Sequence, residues 1–206
     1  MSTENGGRGP NPWLRVPAGL RRVDKPARVR PLGAVGVEPL RREVAQLSER
    51  VWRQEDAAKE NAFPCFHHTR HIVFRFIAGN RDPRRFYSQP IWAVWGRRLL
   101  PVMARAAAAY GYAEPAYPKV MLAQLAAGHG IDLHVDGAGS HPFTHKIHVP
   151  LETNPAAVLH VDGADFHLAA GHVWEVNNLV PHSAFNGGEA DRIHLIFEVF
   201  DDARTT

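Results

Sequence analysis

The stretch GHVWEVNNLVPHSAFNGGEADRIHLIFEVFD (171–201) contains the pattern that predicts the fold. Short apolar or alternating runs are separated by turn-forming Gly, Pro, Asn and Asp, and similar runs extend back to PKVMLAQLAAG (118–128). Many short strands broken by such turns are typical of antiparallel β-sandwiches and barrels. We therefore expect a mainly β structure for the last third of the chain.

Upstream of this region the sequence predicts helices that flank the barrel. HIVFRFIAG (71–79) is typical of a strand, and QPIWAVWGRRLLPVMARAAAAYGY (89–112) predicts a helical region that Pro101 should kink or divide. Before them, a single amphipathic helix is predicted by four apolar residues at helical spacing: Leu40, Val44, Leu47 and Val51.

The composition of the chain limits the number of domains, disulfides and membrane spans that it can form. The 206 residues, of which 45% are hydrophobic, suffice for one well-packed domain. The Pro-, Gly- and Arg-rich start predicts a basic, loosely ordered arm at 1–31, followed by a single domain at 32–206. A single cysteine excludes an intramolecular disulfide, and no apolar run reaches bilayer length. We expect a cytoplasmic protein without a membrane partner.

Charge is distributed unevenly along the chain. Residues 1–31 and 32–112 carry formal net charges of +5 and +6, whereas residues 113–206 carry −8. A basic front half could attract nucleic acid, but its basic residues are scattered and accompany no aromatic stacking motif or helix-turn-helix pattern. We therefore expect no nucleic-acid partner.

Two nearly identical heptads, LHVDGAG (133–139) and LHVDGAD (159–165), each place a histidine two residues before an aspartate. On an extended chain these two side chains share one face, where a further histidine could complete a metal site. His182 in the segment PHSAFN is the candidate third ligand. It follows His134 by 48 residues but His160 by only 22, which leaves room for about two strands.

The first heptad is the better candidate for metal binding. Jelly-roll barrels place the paired ligands near the start of the barrel and the third ligand near its end, which fits His134 and Asp136 together with His182. The second heptad lies in AVLHVDGADFHLAAG, which indicates a strand, an Asp-Gly turn and another strand. We therefore interpret His160 and Asp162 as hairpin residues.

Four stretches resemble the aspartyl/asparaginyl β-hydroxylase family of iron(II)- and 2-oxoglutarate-dependent oxygenases: HVD (134–136), HKIHVPL (145–151), GHVWEVNNLVPHSAFN (171–186) and DRIHLIFEVFD (191–201). The resemblance covers roughly residues 119–202. It implies a double-stranded β-helix, the cupin-like jelly roll. It also implies a requirement for iron(II), for 2-oxoglutarate as co-substrate and for O₂.

The resemblance also implies a metal-binding set. His134 and His182 match the two iron-binding histidines of the family. Asp136 supplies a carboxylate that the animal enzymes of the family lack, so the chain is similar to a complete two-histidine, one-carboxylate site. These three residues are the expected metal ligands and catalytic residues.

Binding of 2-oxoglutarate requires a cation, because its far carboxylate must be paired inside an apolar barrel. Arg192 is the candidate, since a guanidinium can hold a carboxylate through two parallel hydrogen bonds and strand alternation turns Leu195 and Phe197 away from it. Lys146 and His148 share one face of another predicted strand, HKIHVPL (145–151). The resemblance assigns both to the co-substrate, although an arginine is expected in place of Lys146.

Other conspicuous side chains receive structural interpretations. In HHTRH (67–71), alternation would put His67 and His71 on one face, which we interpret as a polar strand edge or the rim of the substrate pocket. Trp92 and Trp95 stand at helical spacing and are expected in the core.

The predicted function is that of an iron(II)/2-oxoglutarate-dependent dioxygenase that hydroxylates an unactivated carbon of an amino acid or peptide and releases succinate and CO₂. The resemblance implies the β-carbon of Asp or Asn. A proline hydroxylase or a natural-product tailoring hydroxylase of the same fold is the alternative. A hypothesis of another class is a non-catalytic metal-binding cupin that acts as a sensor. Arg192 with Lys146 argues against a sensor, because a bare metal cupin needs no dicarboxylate anchor.

Overall fold

A computed structural model describes residues 19–203, which contain three α-helices and eleven β-strands. The helices are α1 (Glu38–Ala45), α2 (Glu49–Ala57) and α3 (Trp92–Ala107). The strands are β1 (Val29–Ala34), β2 (Thr69–Ile77), β3 (Phe86–Ser88), β4 (Pro115–Leu125), β5 (Gly130–His134), β6 (His145–Glu152), β7 (Ala157–Val161), β8 (Ala164–Phe166), β9 (His172–Val176), β10 (His182–Asn186) and β11 (Arg192–Asp201). None of the helices is long and apolar enough to cross a bilayer.

The strands form two antiparallel sheets that face each other. The larger sheet has the order β1-β9-β6-β11-β4-β2-β3, and the smaller has the order β5-β10-β7-β8. From β4 onward the chain passes back and forth between the sheets, so strands distant in sequence become neighbours. This topology is a double-stranded β-helix, and the prediction of a mainly β jelly roll with flanking helices is confirmed.

The two faces of the larger sheet have different roles. Its outer face packs under the helices, where Leu195 and Phe197 of β11 join Leu99 and Met103 of α3 in one buried cluster. This confirms that Leu195 points away from the barrel interior, whereas Phe197 belongs to the same cluster and also borders the interior cavity. A smaller buried cluster, which includes Leu125 and Val161, lies between the sheets. The rest of the inner face is therefore available for polar side chains.

The predicted single helix is two helices. Helix α1 ends at Ala45 and α2 begins at Glu49, with Ser48 in an extended conformation between them. The Ser48 hydroxyl accepts a hydrogen bond from the Val51 backbone N–H at 3.4 Å, which is an N-cap. The single-helix prediction was wrong because both helices face the same sheet, so the apolar spacing continues across the break.

Helix α3 runs without interruption from Trp92 to Ala107 although it contains Pro101. Pro101 therefore does not divide the helical region, and the kink that was the other expectation stays a prediction. Leu99 and Met103 on either side of the proline are buried in the same cluster, and this packing compensates for the missing backbone donor. Trp95 is buried in that cluster too, as expected for a core residue.

The predicted basic arm is described only from residue 19, and residues 1–18 lie outside the described part of the chain. Val29 to Pro31 already belong to β1, which pairs with β9. Upstream of β1, Pro26 accepts a hydrogen bond from the Asn177 amide at 2.9 Å, and the Val23 N–H donates to the Pro142 carbonyl at 3.0 Å. These residues are attached to the barrel, whereas the division of the chain into an arm and a domain stays a prediction.

The second heptad forms the predicted hairpin. Asp162 and Gly163 join β7 to β8, and both have positive φ angles, +45° and +76°, as a type I′ turn requires. Val161 and Ala164 pair across the turn. His160 contacts the carboxylate of Asp165 at 2.6 Å. The interpretation of this heptad as a hairpin is confirmed.

Candidate functional site

A cavity of about 620 Å³ occupies the barrel interior. Its walls come from inward-facing residues of both sheets and from three connecting segments at residues 61–66, 79–81 and 137–141. The volume is typical of sites for small organic ligands. All six predicted site residues line this one cavity: His134, Asp136, Lys146, His148, His182 and Arg192.

His134, Asp136 and His182 form a compact cluster in this cavity. His134 ends β5 and His182 begins β10, and the two residues pair across the smaller sheet. One possible ligand atom from each of the three residues lies within 4.8 Å of the others. Within residues 19–203, no other group of three or more His, Cys, Asp or Glu residues meets this test for a metal site.

Backbone contacts orient both imidazoles of the cluster. His134 Nδ1 lies 2.7 Å from the Asp132 carbonyl, and His182 Nδ1 lies 2.9 Å from the Val180 carbonyl. A carbonyl can only accept, so each Nδ1 carries the hydrogen and each Nε2 keeps a lone pair. Both Nε2 atoms face Asp136 Oδ1, at 3.6 and 3.9 Å. Metal-ligating histidines are commonly oriented by such contacts.

The two oxygens of Asp136 have different surroundings. Oδ2 accepts hydrogen bonds from Lys146 Nζ at 2.5 Å and from the Asn178 amide at 3.1 Å. Burial alone would raise the pKa of Asp136, but the nearby positive charge of Lys146 outweighs it and holds this pKa well below its usual value. Oδ1 therefore remains as an ionised donor beside two imidazoles, a donor set that fits iron(II).

Arg192, the first residue of β11, lies deep in the same cavity. Its guanidinium is buried, Nε has no hydrogen-bond partner, and no carboxylate among residues 19–203 forms an ion pair with it. Burial lowers the pKa of Arg192 to about 10, so the group stays charged at neutral pH. An unpaired buried cation is costly, so this position fits an anionic ligand.

Two further imidazoles lie beside Arg192. His148 of β6 and His194 of β11 are buried, and their Nδ1 atoms are 3.4 Å apart. Burial lowers the pKa of each ring well below the usual value, so both are neutral. A hydrogen bond between two Nδ1 atoms needs one donor and one acceptor, so the rings are opposite tautomers. In both rings Nε2 lacks a partner among the described residues.

The structure separates His67 from His71. His71 lies on β2, is buried and lines the cavity, and burial lowers its pKa to about 3. His67 precedes the strand, and its Nδ1 hydrogen-bonds to the Pro64 carbonyl at 2.8 Å in a short 3-10 turn. The predicted shared face is therefore wrong, because strand alternation begins only at Thr69.

His194, Lys119 and Glu198 line the cavity or lie beside its lining, but they were not predicted as site residues from the sequence. His194 and Glu198 follow Arg192 at even spacing on β11, so strand alternation was the signal that could have found them. Lys119 pairs with Glu198 across β4 and β11. That contact depends on the pairing of β4 with β11, which the local sequence does not reveal.

The family model for aspartyl/asparaginyl beta-hydroxylase matches residues 96–202, which is more than half of the chain. The chain belongs to this family. The resemblance noted in the sequence is thereby confirmed, and this aspartyl/asparaginyl β-hydroxylase family member is an oxygenase of the iron- and 2-oxoglutarate-dependent type. The matched segment contains all six predicted site residues.

Several solved structures are similar in shape to this β-hydroxylase family member. An oxidoreductase of the 2OG-Fe(II) oxygenase family from Burkholderia pseudomallei has 14% identity and a TM-score of 0.48, over 64% of this chain and 67% of that chain. The non-heme monooxygenase ThoJ in complex with nickel has 14% identity and a TM-score of 0.49, over 84% and 72%. A cupin domain from Bordetella pertussis has 18% identity and a TM-score of 0.33, over 43% and 93%. No curated protein sequence gave a significant match.

The two heptads provide matched substitutions for testing the metal site. Asp136→Ala removes a charged ligand, so iron(II) affinity should fall sharply. Asp162→Ala should leave iron affinity nearly unchanged and lower the free energy of unfolding by about 1–2 kcal/mol, because alanine is strained at positive φ. Anaerobic calorimetric titration with iron(II) and urea unfolding measure the two effects. Loss of iron binding in Asp162→Ala, together with retention in folded His134→Ala, would place the metal at the other heptad.

Proposed function

We propose that this protein hydroxylates the β-carbon of aspartate or asparagine, as a free amino acid or in a peptide, with 2-oxoglutarate as co-substrate and succinate and CO₂ as co-products. The observation that carries the proposal is the buried, unpaired guanidinium of Arg192 in the same cavity as His134, Asp136 and His182. Membership of the β-hydroxylase family supports the reaction class.

In this proposal His134, Asp136 and His182 hold iron(II) through Nε2, Oδ1 and Nε2. Bound there, iron(II) with 2-oxoglutarate and O₂ supplies the oxidative decarboxylation that is coupled to hydroxylation of the substrate carbon. Lys146 and Asn178 hold the second oxygen of Asp136 and so keep the first one directed at the histidines. The role of these two residues is to orient the carboxylate ligand.

Arg192 and His148 bind the far carboxylate of 2-oxoglutarate. The planar guanidinium can form two parallel hydrogen bonds to a carboxylate, and pairing removes the cost of leaving its charge buried alone. Lys146, on the same inner face as His148, adds positive charge near the other end of the dianion. The apolar part of the wall, which includes Met121, Leu159 and Val176, keeps water away from these contacts.

His194 is a positioning residue in this scheme. To donate to a carboxylate, His148 must carry its hydrogen on Nε2, so its Nδ1 must be the acceptor of the contact with His194. His194 then donates through Nδ1. The pair thus fixes the tautomer of His148 that suits an anion, without placing a second charge beside Arg192.

Arg192→Ala should weaken 2-oxoglutarate binding and leave iron binding nearly unchanged. A charge-assisted hydrogen bond contributes about 1.5–3 kcal/mol, which corresponds to a loss of roughly 10- to 150-fold in affinity. Arg192→Lys keeps the charge but loses the paired geometry and should show a smaller loss, as should Lys146→Ala. Anaerobic calorimetry of the metal-loaded protein measures these values. An unchanged dissociation constant in Arg192→Ala would put the anchor elsewhere.

His194→Phe should weaken 2-oxoglutarate by roughly 2- to 12-fold, the equivalent of one neutral hydrogen bond of about 0.5–1.5 kcal/mol. His194→Asn, whose amide can donate to His148, should recover most of the loss. Nitrogen-15 NMR of the protein with 2-oxoglutarate should report His148 in the Nε2–H tautomer. A bound state in which His148 carries its hydrogen on Nδ1 would contradict the assigned role.

The proposed reaction is tested by incubating the protein with iron(II), ascorbate, 2-oxoglutarate and ¹⁸O₂, with Asp, Asn, Pro or acidic peptides as substrate. We expect Asp or Asn to gain one labelled oxygen, with one succinate formed for each hydroxylation. Hydroxylation of proline alone would make the substrate assignment wrong. Binding of 2-oxoglutarate without any succinate would favour the sensor and contradict the proposed enzyme.

A further inference from the structure

A second polar layer crosses the cavity far from Arg192. Glu198 lies between Lys119 and Lys146 on the three adjacent strands β4, β11 and β6. Glu198 follows Arg192 by six residues on one strand, and a strand rises about 3.3 Å per residue, so the two positions are roughly 20 Å apart. The five-carbon chain of 2-oxoglutarate is much shorter than this separation, so the layer is available to a second molecule.

The layer contains a buried ion pair. Glu198 Oε1 lies 3.3 Å from Lys119 Nζ and 3.2 Å from His141 Nε2, and Oε2 accepts the Thr144 hydroxyl at 2.8 Å. Burial would raise the pKa of Glu198, but Lys119 and His141 outweigh it and hold this pKa well below its usual range. The layer therefore presents an ionised carboxylate to the cavity, with the Lys119 amino group beside it.

Two loops add polar atoms that lack partners. Asn80 Oδ1 and His141 Nδ1 are buried without a hydrogen-bond partner among the described residues, and both residues line the cavity. Asn80 has a φ of +56°, which is uncommon for a residue other than glycine. Its carbonyl accepts the Ser140 N–H at 3.2 Å, which ties the two loops together. Buried polar atoms without partners indicate a missing ligand or water.

We propose that this layer is the subsite for the headgroup of a free α-amino acid. Lys119 binds the substrate α-carboxylate, while Glu198 and Asn80 Oδ1 bind its α-ammonium group. A zwitterion gives each member of the buried ion pair a second neighbour of opposite charge. An internal peptide residue has neither charge, so it cannot make these contacts. The inference rests on the proposed function and narrows its substrate from amino acid or peptide to free amino acid.

The same placement directs the substrate side chain toward the metal cluster. Lys146 is the cross-strand neighbour of Glu198, and its ammonium contacts the Asp136 carboxylate at 2.5 Å. A substrate held at Lys119 and Glu198 can therefore extend its side chain along the cavity toward His134, Asp136 and His182. The carbon that is hydroxylated would belong to the side chain, in agreement with the proposed reaction.

The test compares binding of free L-aspartate, L-asparagine and L-proline with binding of their N-acetyl and α-amide derivatives, using the metal- and 2-oxoglutarate-loaded protein under anaerobic conditions. At least one free amino acid should bind more than about tenfold more tightly than both derivatives, because each derivative lacks one charged hydrogen bond. Equal binding of free and derivatised forms for all three amino acids would overturn the inference.

Two variants test which charged side chain binds each charged group of the substrate. Glu198→Gln keeps an acceptor for Thr144 and should weaken the free amino acid by roughly 10- to 150-fold while leaving its weakly bound N-acetyl form nearly unchanged. Lys119→Gln should likewise weaken the free amino acid while leaving its weakly bound α-amide form nearly unchanged. A general loss of packing would weaken free and derivatised ligands equally, and that result would overturn the assignment. If one variant fails to fold by circular dichroism, the other provides the same comparison.

Failure of the headgroup subsite can be distinguished experimentally from failure of the proposed function. Failure of the wild-type protein to form succinate from 2-oxoglutarate with any substrate would contradict the proposed function itself. Succinate formation together with efficient hydroxylation of N-acetyl derivatives or internal peptide residues would leave the proposed function standing and overturn the headgroup subsite.

Discussion

The buried charge of Arg192 is the constraint on which the interior of the barrel depends. Removing a guanidinium from water costs several kcal/mol unless it is paired, and no carboxylate among residues 19–203 pairs with it. Burial lowers its pKa only to about 10, so the charge persists. The neighbouring His148 and His194 are held neutral. The folded protein thus carries a buried cation without a partner among these residues, and a bound dicarboxylate would offset the cost of burying it.

Strand pairing places the other polar side chains of the cavity at defined positions relative to Arg192. The larger sheet turns Arg192 and His194 inward and turns Leu195 outward against the helices. The smaller sheet brings His134 and His182 opposite each other although 48 residues separate them in sequence. Side chains carried on paired strands are held more precisely than side chains on loops. The proposed positions of co-substrate, metal and substrate therefore follow one another along the barrel.

Much of this arrangement could be predicted from local sequence. Alternating runs broken by turn residues indicated the barrel. The shorter spacing to His182 and the strand that follows its Asp-Gly turn distinguished the second heptad from the first. The break at Ser48 escaped prediction because the apolar spacing continues across it. Glu198 had a local signal in its even spacing from Arg192. Lys119 escaped because polar residues on an alternating strand usually face solvent, and only the pairing of β4 with β11 shows that it meets Glu198 inside the barrel. Such long-range contacts have no local signature.

A crystal structure of the protein with iron(II) and 2-oxoglutarate, grown without oxygen, would show which residue binds the far carboxylate of the co-substrate. We expect this carboxylate within hydrogen-bond distance of the Arg192 guanidinium, with iron bound by His134, Asp136 and His182. A structure in which 2-oxoglutarate binds at Lys119 instead, with Arg192 still unpaired, would contradict this expectation.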